Sequence, residues 1–235
     1  MTQAMLQVKD LHAYYGKSHV LRGVDMEIMP GEVIALLGRN GVGRSTTAKA
    51  IMGEVTPRGE VLFKGEPIAG LESHKIARMG LGYVPESRDI FPSMTVRQNL
   101  VLGVKDMRNP GKYTIDEMLD MFPNLRARAD NPAGVLSGGE KQMLTMCRTL
   151  MGDPELIIID EPTEGLAPVI VQQIGRTIQA LKDEGFTIIL VEQNFRFAAS
   201  VADRHYVVEQ GRVVDMIPNA DLDANIDKLH AYLGV

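Results

Sequence analysis

At 235 residues, with 45% apolar and 23% charged side chains, the chain has the makeup of one sizeable α/β domain. Its net charge of −5 comes without a long Lys/Arg block, which argues against a nucleic-acid binder. The single cysteine, Cys147, excludes an internal disulfide and suits a reducing compartment, and apolar runs such as Leu156–Ile159 fall far short of the ~18 residues a membrane span needs.

Residues Met1 to Asp10 lack the basic stretch and apolar core of a secretory leader, so none is expected. Leu6–Val8 and Val24–Met29 predict strands that bracket an aromatic turn, His12-Ala13-Tyr14-Tyr15-Gly16. Val33–Leu37 predicts a buried strand. It runs into Gly38-Arg39-Asn40-Gly41-Val42-Gly43-Arg44-Ser45-Thr46, which has the spacing of a phosphate-binding P-loop, with Arg44 where the pattern expects lysine. Thr47–Met52 predicts the helix leading out, and Gly53 marks its end. Glycines let such a loop curl so that backbone N–H groups face phosphate oxygens, and the helix start adds a favourable dipole. The Ser45 hydroxyl is placed to bind Mg²⁺. Arg44 keeps the positive charge but presents a planar fork instead of a point charge.

Further along, Val61–Phe63 predicts a short strand, Leu71–Met79 a helix and Leu81–Val84 a buried strand. Pro85 to Pro154 is Met-rich and helix-like, with a capping box at Thr114 and Glu117 and a break at Asn131-Pro132. Leu136-Ser137-Gly138-Gly139-Glu140 then opens a helix whose apolar positions are Met143, Met146, Cys147 and Leu150. Ser137 is a good N-cap, and the two glycines leave N–H groups uncovered, a second anion site. Leu156–Ile159 predicts a buried strand that ends in Asp160 and Glu161. At the carboxyl end of such a strand Asp160 is placed to hold Mg²⁺, and Glu161 to orient and polarise an attacking water. A helix over Val169–Lys182, strands over Thr187–Val191 and His205–Glu209, a hairpin at Gly211 into Arg212–Met216, and a closing helix over Asn225–Leu233 complete the chain. The alternation predicts a mostly parallel sheet interrupted by a helical insert. The five histidines show no metal spacing, so no transition metal is expected.

Leu136 to Glu140 resembles the signature of the ATP-binding cassette (ABC) ATPases, and the other motifs fall into that family's register across nearly all of the chain. Ser137 lies 23 residues before Asp160, as in the family. Thr163 to Pro168 matches its D-loop region, Tyr15 its adenine-stacking aromatic, and Gln193, 33 positions after Asp160, its switch residue. The resemblance implies a P-loop NTPase (RecA-like) α/β fold in one domain over residues 1–235. Its nucleotide-binding core would comprise residues 1–87, which include an antiparallel β subdomain, and residues 155–235. Residues 88–154 would form the inserted α-helical signature subdomain.

It also implies ATP and Mg²⁺ as ligands. Gly38, Arg39, Asn40, Gly41, Val42, Gly43, Arg44, Ser45, Thr46 and Tyr15 would bind nucleotide, Ser45, Asp160 and Glu86 the metal, and Glu161 and Gln193 would be catalytic. Leu136 to Glu140 would serve the ATP site of a partner cassette.

Finer resemblance is to the LivF-type subunits of branched-chain amino acid importers and their urea and short-amide relatives. It is carried by Leu37 to Gly41, Val84 to Arg88, Asp160 to Pro168 and Val191 to Asn194. It implies a second, LivG-like ATPase or a second copy as partner, two membrane permease subunits and, indirectly, a periplasmic substrate-binding protein. The place would be cytoplasmic, on the inner face of a bacterial inner membrane. A soluble ABC ATPase acting on DNA or ribosomes is the less fitting alternative, since the chain has one cassette and no heptad run. A nucleotide-gated, weakly hydrolysing subunit is the other. Arg44, Glu86 (where most members carry glutamine) and Gln193 (where most carry histidine) depart from the superfamily pattern. All three fall on the site that uses this chain's own P-loop, which implies slower hydrolysis there than at a partner's site.

Overall fold

The computed structural model describes residues 3–108 and 111–234. Leu6–Tyr15 (β1) and Ser18–Ile28 (β2) pair antiparallel, with Leu6 opposite Ile28 and Tyr15 opposite Ser18. Both strands outrun the sequence expectation. The stretch read as an aromatic turn is strand as far as Tyr15, because Leu11 and Ala13 alternate inward and are fully buried. The actual turn is Gly16-Lys17. Pro57–Phe63 (β4) and Glu66–Pro67 (β5) extend this sheet in the order β2-β1-β4-β5.

Val33–Leu37 (β3) belongs to a second sheet, with Leu81–Val84 (β6), Leu156–Asp160 (β7), Thr187–Glu192 (β8), Arg204–Glu209 (β9) and Arg212–Pro218 (β10). Its order is β10-β9-β3-β8-β7-β6, parallel throughout except for the β9–β10 hairpin. The central strands are buried on both faces, and their residues alternate between two hydrophobic clusters. Val33, Ala35, Leu37, Ile157, Ile159, Ile188 and Leu190 enter one. Ile34, Leu36, Leu156, Ile158, Ile189 and Val191 enter the other, with the N-terminal sheet. This is why these strands read as unbroken apolar runs rather than as alternating ones.

Helix α1 covers Arg44–Ile51 and α2 Ser73–Arg78. The helical stretch contributes α3 (Val96–Val101), α4 (Ile115–Met121), α5 (Pro123–Arg126) and α6 (Gly138–Leu150). Thr95, Thr114 and Ser137 each close a full capping box, with Gln98, Glu117 and Glu140 respectively. Leu100, Met118, Leu119, Leu144 and Cys147 are buried in the same cluster as the inner sheet face. Burial pushes the Cys147 thiol well above its ordinary range, as befits a core residue. Helices α7 (Pro168–Asp183), α8 (Phe195–Ala199) and α9 (Ile226–Leu233) complete that layer. No helix among the described residues is long and apolar enough to cross a membrane.

Candidate functional site at the P-loop

The parallel register brings the ends of three strands level. Leu37 lies opposite Glu192, and Asp160 opposite Val191. Ligands in open α/β sheets sit beyond such carboxyl ends. There the chain leaves β3 through Gly38, whose Cβ, if present, would lie 2.5 Å from the Val208 carbonyl oxygen. The loop turns into α1 at Gly43, with φ +113°. It is braced from behind by the β9–β10 hairpin, where Gly211 N–H donates to the Val42 carbonyl at 2.8 Å. The helix starts at Arg44, not Thr47 as the sequence suggests. Gly43 supplies no side-chain cap, so the first-turn N–H groups face outward without one.

A cavity of about 260 Å³ opens on this turn, lined by Asn40, Gly41, Gly43 to Thr46, Val20, Glu86, Glu161 and Glu164. Ser45 Oγ donates to Asp160 Oδ1 at 3.0 Å, and Tyr83 OH donates to Asp160 Oδ2 at 3.1 Å. Burial raises the Asp160 carboxyl above its ordinary range, and these two hydrogen bonds oppose the rise. Arg44 is almost wholly buried, at 3% exposure. Its Nη2 donates to Asn40 Oδ1 at 2.9 Å and to Glu161 Oε1 at 2.6 Å. Its Nη1 is buried without a hydrogen-bond partner among the described residues.

Glu161 adopts φ +44°, the left-handed region that side chains other than glycine seldom occupy, while its N–H donates to the Val191 carbonyl at 2.9 Å. Carboxylate oxygens of Glu86, Glu161 and Glu164 lie within 4.8 Å of one another. Burial pushes Glu161 up to about 7, with Glu164 and Glu86 adding to the rise and Arg44 opposing it. Glu86 is likewise raised by burial and by its contact with Glu164.

The structure therefore brings together the P-loop, Ser45, Asp160, Glu161 and Glu86. It does not bring Gln193 to the cavity lining. Gln193 is exposed after β8, and its neighbour Glu192 is the buried group. Glu192 accepts from Thr163 Oγ1 at 2.6 Å and from Asn194 N–H at 3.0 Å, tying the turn after β7 to the turn after β8. Leu136 to Glu140 sit at the start of α6 and line none of this cavity. Of the two aromatics, Tyr14 is engaged, its ring stacked on His19 at 4.3 Å and under the Arg58 guanidinium at 5.2 Å. Tyr15 is about half exposed.

Sequence reasoning missed Tyr83 and Glu164 as site groups. Tyr83 stands opposite Ile158 in the β6–β7 register, and its phenol reaches back to the strand end. Glu164 was read only as part of the Thr163 to Pro168 motif, and nothing in that motif gives its side chain a place in the carboxylate cluster.

The profile of the ABC transporter family matches residues 21–164. The chain is 41% identical, over 98% of its length and 100% of the relative's, to the high-affinity branched-chain amino acid transport ATP-binding protein BraG of Pseudomonas aeruginosa. It is 38% identical, over 89% of its length and 90% of the relative's, to the probable branched-chain amino acid transport ATP-binding protein LivF of Archaeoglobus fulgidus. Its fold matches a nucleotide-free ATP-binding cassette from an ABC transporter with a TM-score of 0.84, at 24% identity over 99% of each chain.

Proposed function

The chain belongs to the ABC transporter family, whose cassettes are ATPases, and on that premise we propose that it energises an importer of branched-chain amino acids. The observation that carries the substrate class is the 41% identity to BraG along essentially the whole of both chains. In this reading the triphosphate of ATP lies in the cavity, on the first-turn N–H groups of α1 and under Arg44. Tyr15 carries the adenine. Ser45 Oγ and the Asp160 carboxylate are hard oxygen donors already within hydrogen-bond reach of each other, and this donor set fits Mg²⁺. Bound there, the ion would neutralise charge on the phosphates. Glu161 accepts the proton of the attacking water. Gln193 would have to approach the γ-phosphate from its exposed position after β8.

The cassette works as one of a pair. This chain's signature, Leu136 to Glu140, meets the partner's ATP, and the partner's signature meets the ATP held here. The support is that these residues head a capped helix yet line no part of the chain's own cavity. The partner is a LivG-like ATPase or a second copy. The pair drives two permease subunits on the cytoplasmic face of the inner membrane, fed by a periplasmic binding protein. Residues 88–154 form the signature subdomain, and contact with the permease falls around Glu86 to Asn99.

The test is reconstitution in proteoliposomes with candidate permease subunits and a binding protein from the same organism. Uptake of leucine, isoleucine or valine that requires ATP is the expected result. Uptake of urea or a short amide instead, with none of the three amino acids, would overturn the substrate class.

A pH profile tests the role of Glu161 separately. The group serves as a base only when ionised, and burial places its carboxyl at about 7. Below that value kcat/KM for ATP is expected to fall about tenfold per pH unit, and above it to level off, since kcat/KM follows the free enzyme. A profile that stays flat through this range would remove Glu161 from that role.

A further inference from the structure

One contact in the site has no use in the reaction: the P-loop cation and the candidate base are bonded to each other. Arg44 Nη2 reaches Glu161 Oε1 at 2.6 Å, and the two side chains are 3% and 11% exposed. The same Nη2 donates to Asn40 Oδ1. Glu161 meanwhile has no other cation in contact among the described residues, and two further carboxylates, Glu86 and Glu164, stand beside it. Arg44 lines the cavity, and its Nη1 is buried with no hydrogen-bond partner among the described residues.

We infer that Arg44 is a positioning residue that latches Glu161 in the nucleotide-free chain, and that phosphate entering the P-loop must compete with Glu161 for the guanidinium. The inference rests on the nucleotide-binding reading above and adds a cost to it. An arginine is suited to this in a way that a lysine is not. Its planar fork holds Asn40 and Glu161 on one nitrogen and leaves the other, buried Nη1, with no hydrogen-bond partner among the described residues, so the guanidinium has donor capacity to spare once phosphate draws it over. Phosphate binding therefore trades the Arg44–Glu161 bond for an Arg44–phosphate contact. Release of Glu161 follows phosphate binding, so the base is held away from water until there is a phosphate to attack. Asp160 is not part of the latch, because its two oxygens are engaged by Ser45 and Tyr83.

The test is the affinity of the full chain for ADP in the presence of EDTA, by titration calorimetry, with no hydrolysis to confound it. Removing the competitor is expected to tighten ADP binding about tenfold in Glu161→Ala. In Glu161→Gln, whose amide oxygen still accepts from Arg44 more weakly than a carboxylate, the gain is expected to be about threefold. Glu164→Gln removes the same charge from the same cluster without touching the guanidinium, so it reads how much of any gain is charge repulsion alone, and its gain is expected to be smaller than that of Glu161→Gln. Thermal melts identify any variant that does not fold, and either Glu161 variant alone suffices. Unchanged or weaker ADP binding in the Glu161 variants overturns the latch. So does an equal gain in Glu164→Gln, which would reduce the effect to charge repulsion. If the wild-type chain binds no ADP or ATP at all, the nucleotide reading falls and the latch with it. Binding without the gain removes only the latch.

Discussion

Glu161→Gln is expected to slow ATP hydrolysis by about 10² to 10⁴-fold, the usual share of a positioned general base. Steady-state phosphate release with the assembled transporter, compared with wild type at saturating ATP, measures it. The geometry makes this substitution informative. Glutamine is isosteric, its backbone can keep the bond from residue 161 N–H to the Val191 carbonyl, and its amide oxygen can still accept from Arg44. The fold should therefore survive. Breaking a buried ion pair outright costs about 3–5 kcal/mol, but a retained neutral acceptor keeps the loss well below that. What disappears is the capacity to take a proton, because an amide is too weak a base to be protonated near neutral pH. A variant that hydrolyses within about threefold of wild type would transfer the base role elsewhere in the cluster, to Glu86 or Glu164, since a general base contributes far more than that.

The site was legible in the sequence to the extent that its parts are local. A P-loop, a strand ending in two carboxylates and a capped Gly-Gly helix start are each written within ten residues, and each folds by backbone rules that composition declares. The strand ends come together because strands such as Leu156–Ile159 and Thr187–Val191 alternate with helices, which argues for a parallel sheet. Pairings across the chain were not legible. Arg44 and Glu161 are 117 positions apart, and nothing in either neighbourhood announces that they share a bond. Tyr83 and Asp160 are 77 apart. The length of β1 was also hidden. The strand is irregular, with register shifts between Val8 and Leu11 and φ +47° at Asp10, so its alternation breaks just where a reader would follow it.

The three departures from the superfamily pattern separate in the structure as they did not in the sequence. Arg44 faces Glu161, Glu86 joins the carboxylate cluster, and Gln193 stays in solvent. Slower turnover at this chain's own site, if single-site kinetics of the assembled transporter find it, would have a specific physical source in the Arg44–Glu161 pair. That source lies outside the signature, which is held by a complete capping box.

Ser137→Arg is expected to separate the two roles of the chain most cleanly. Ser137 Oγ accepts from Glu140 N–H at 3.3 Å, while Glu140 Oε2 accepts from Ser137 N–H at 2.8 Å. Arginine removes one half of this box, which costs about 1 kcal/mol of helix stability. The remaining half, and the packing of Met143, Leu144 and Cys147 into the core, keep α6 in place. Because Ser137 lines no part of the P-loop cavity, ADP binding to the isolated chain should stay within about twofold of wild type, as expected for sites with no shared partner. In the assembled pair the outcome should be different. The bulky cation would replace a small hydroxyl at the helix N-terminus that the partner's phosphates are to approach, so hydrolysis there should fall by about 10²-fold or more, as when an oxyanion donor is removed. Titration calorimetry on the single chain and ATPase assays on the pair read the two effects. Loss of ADP binding in the isolated chain would place the signature in this chain's own site. Full activity in the pair would mean that the composite site, and with it the need for a second cassette, is not how this protein works.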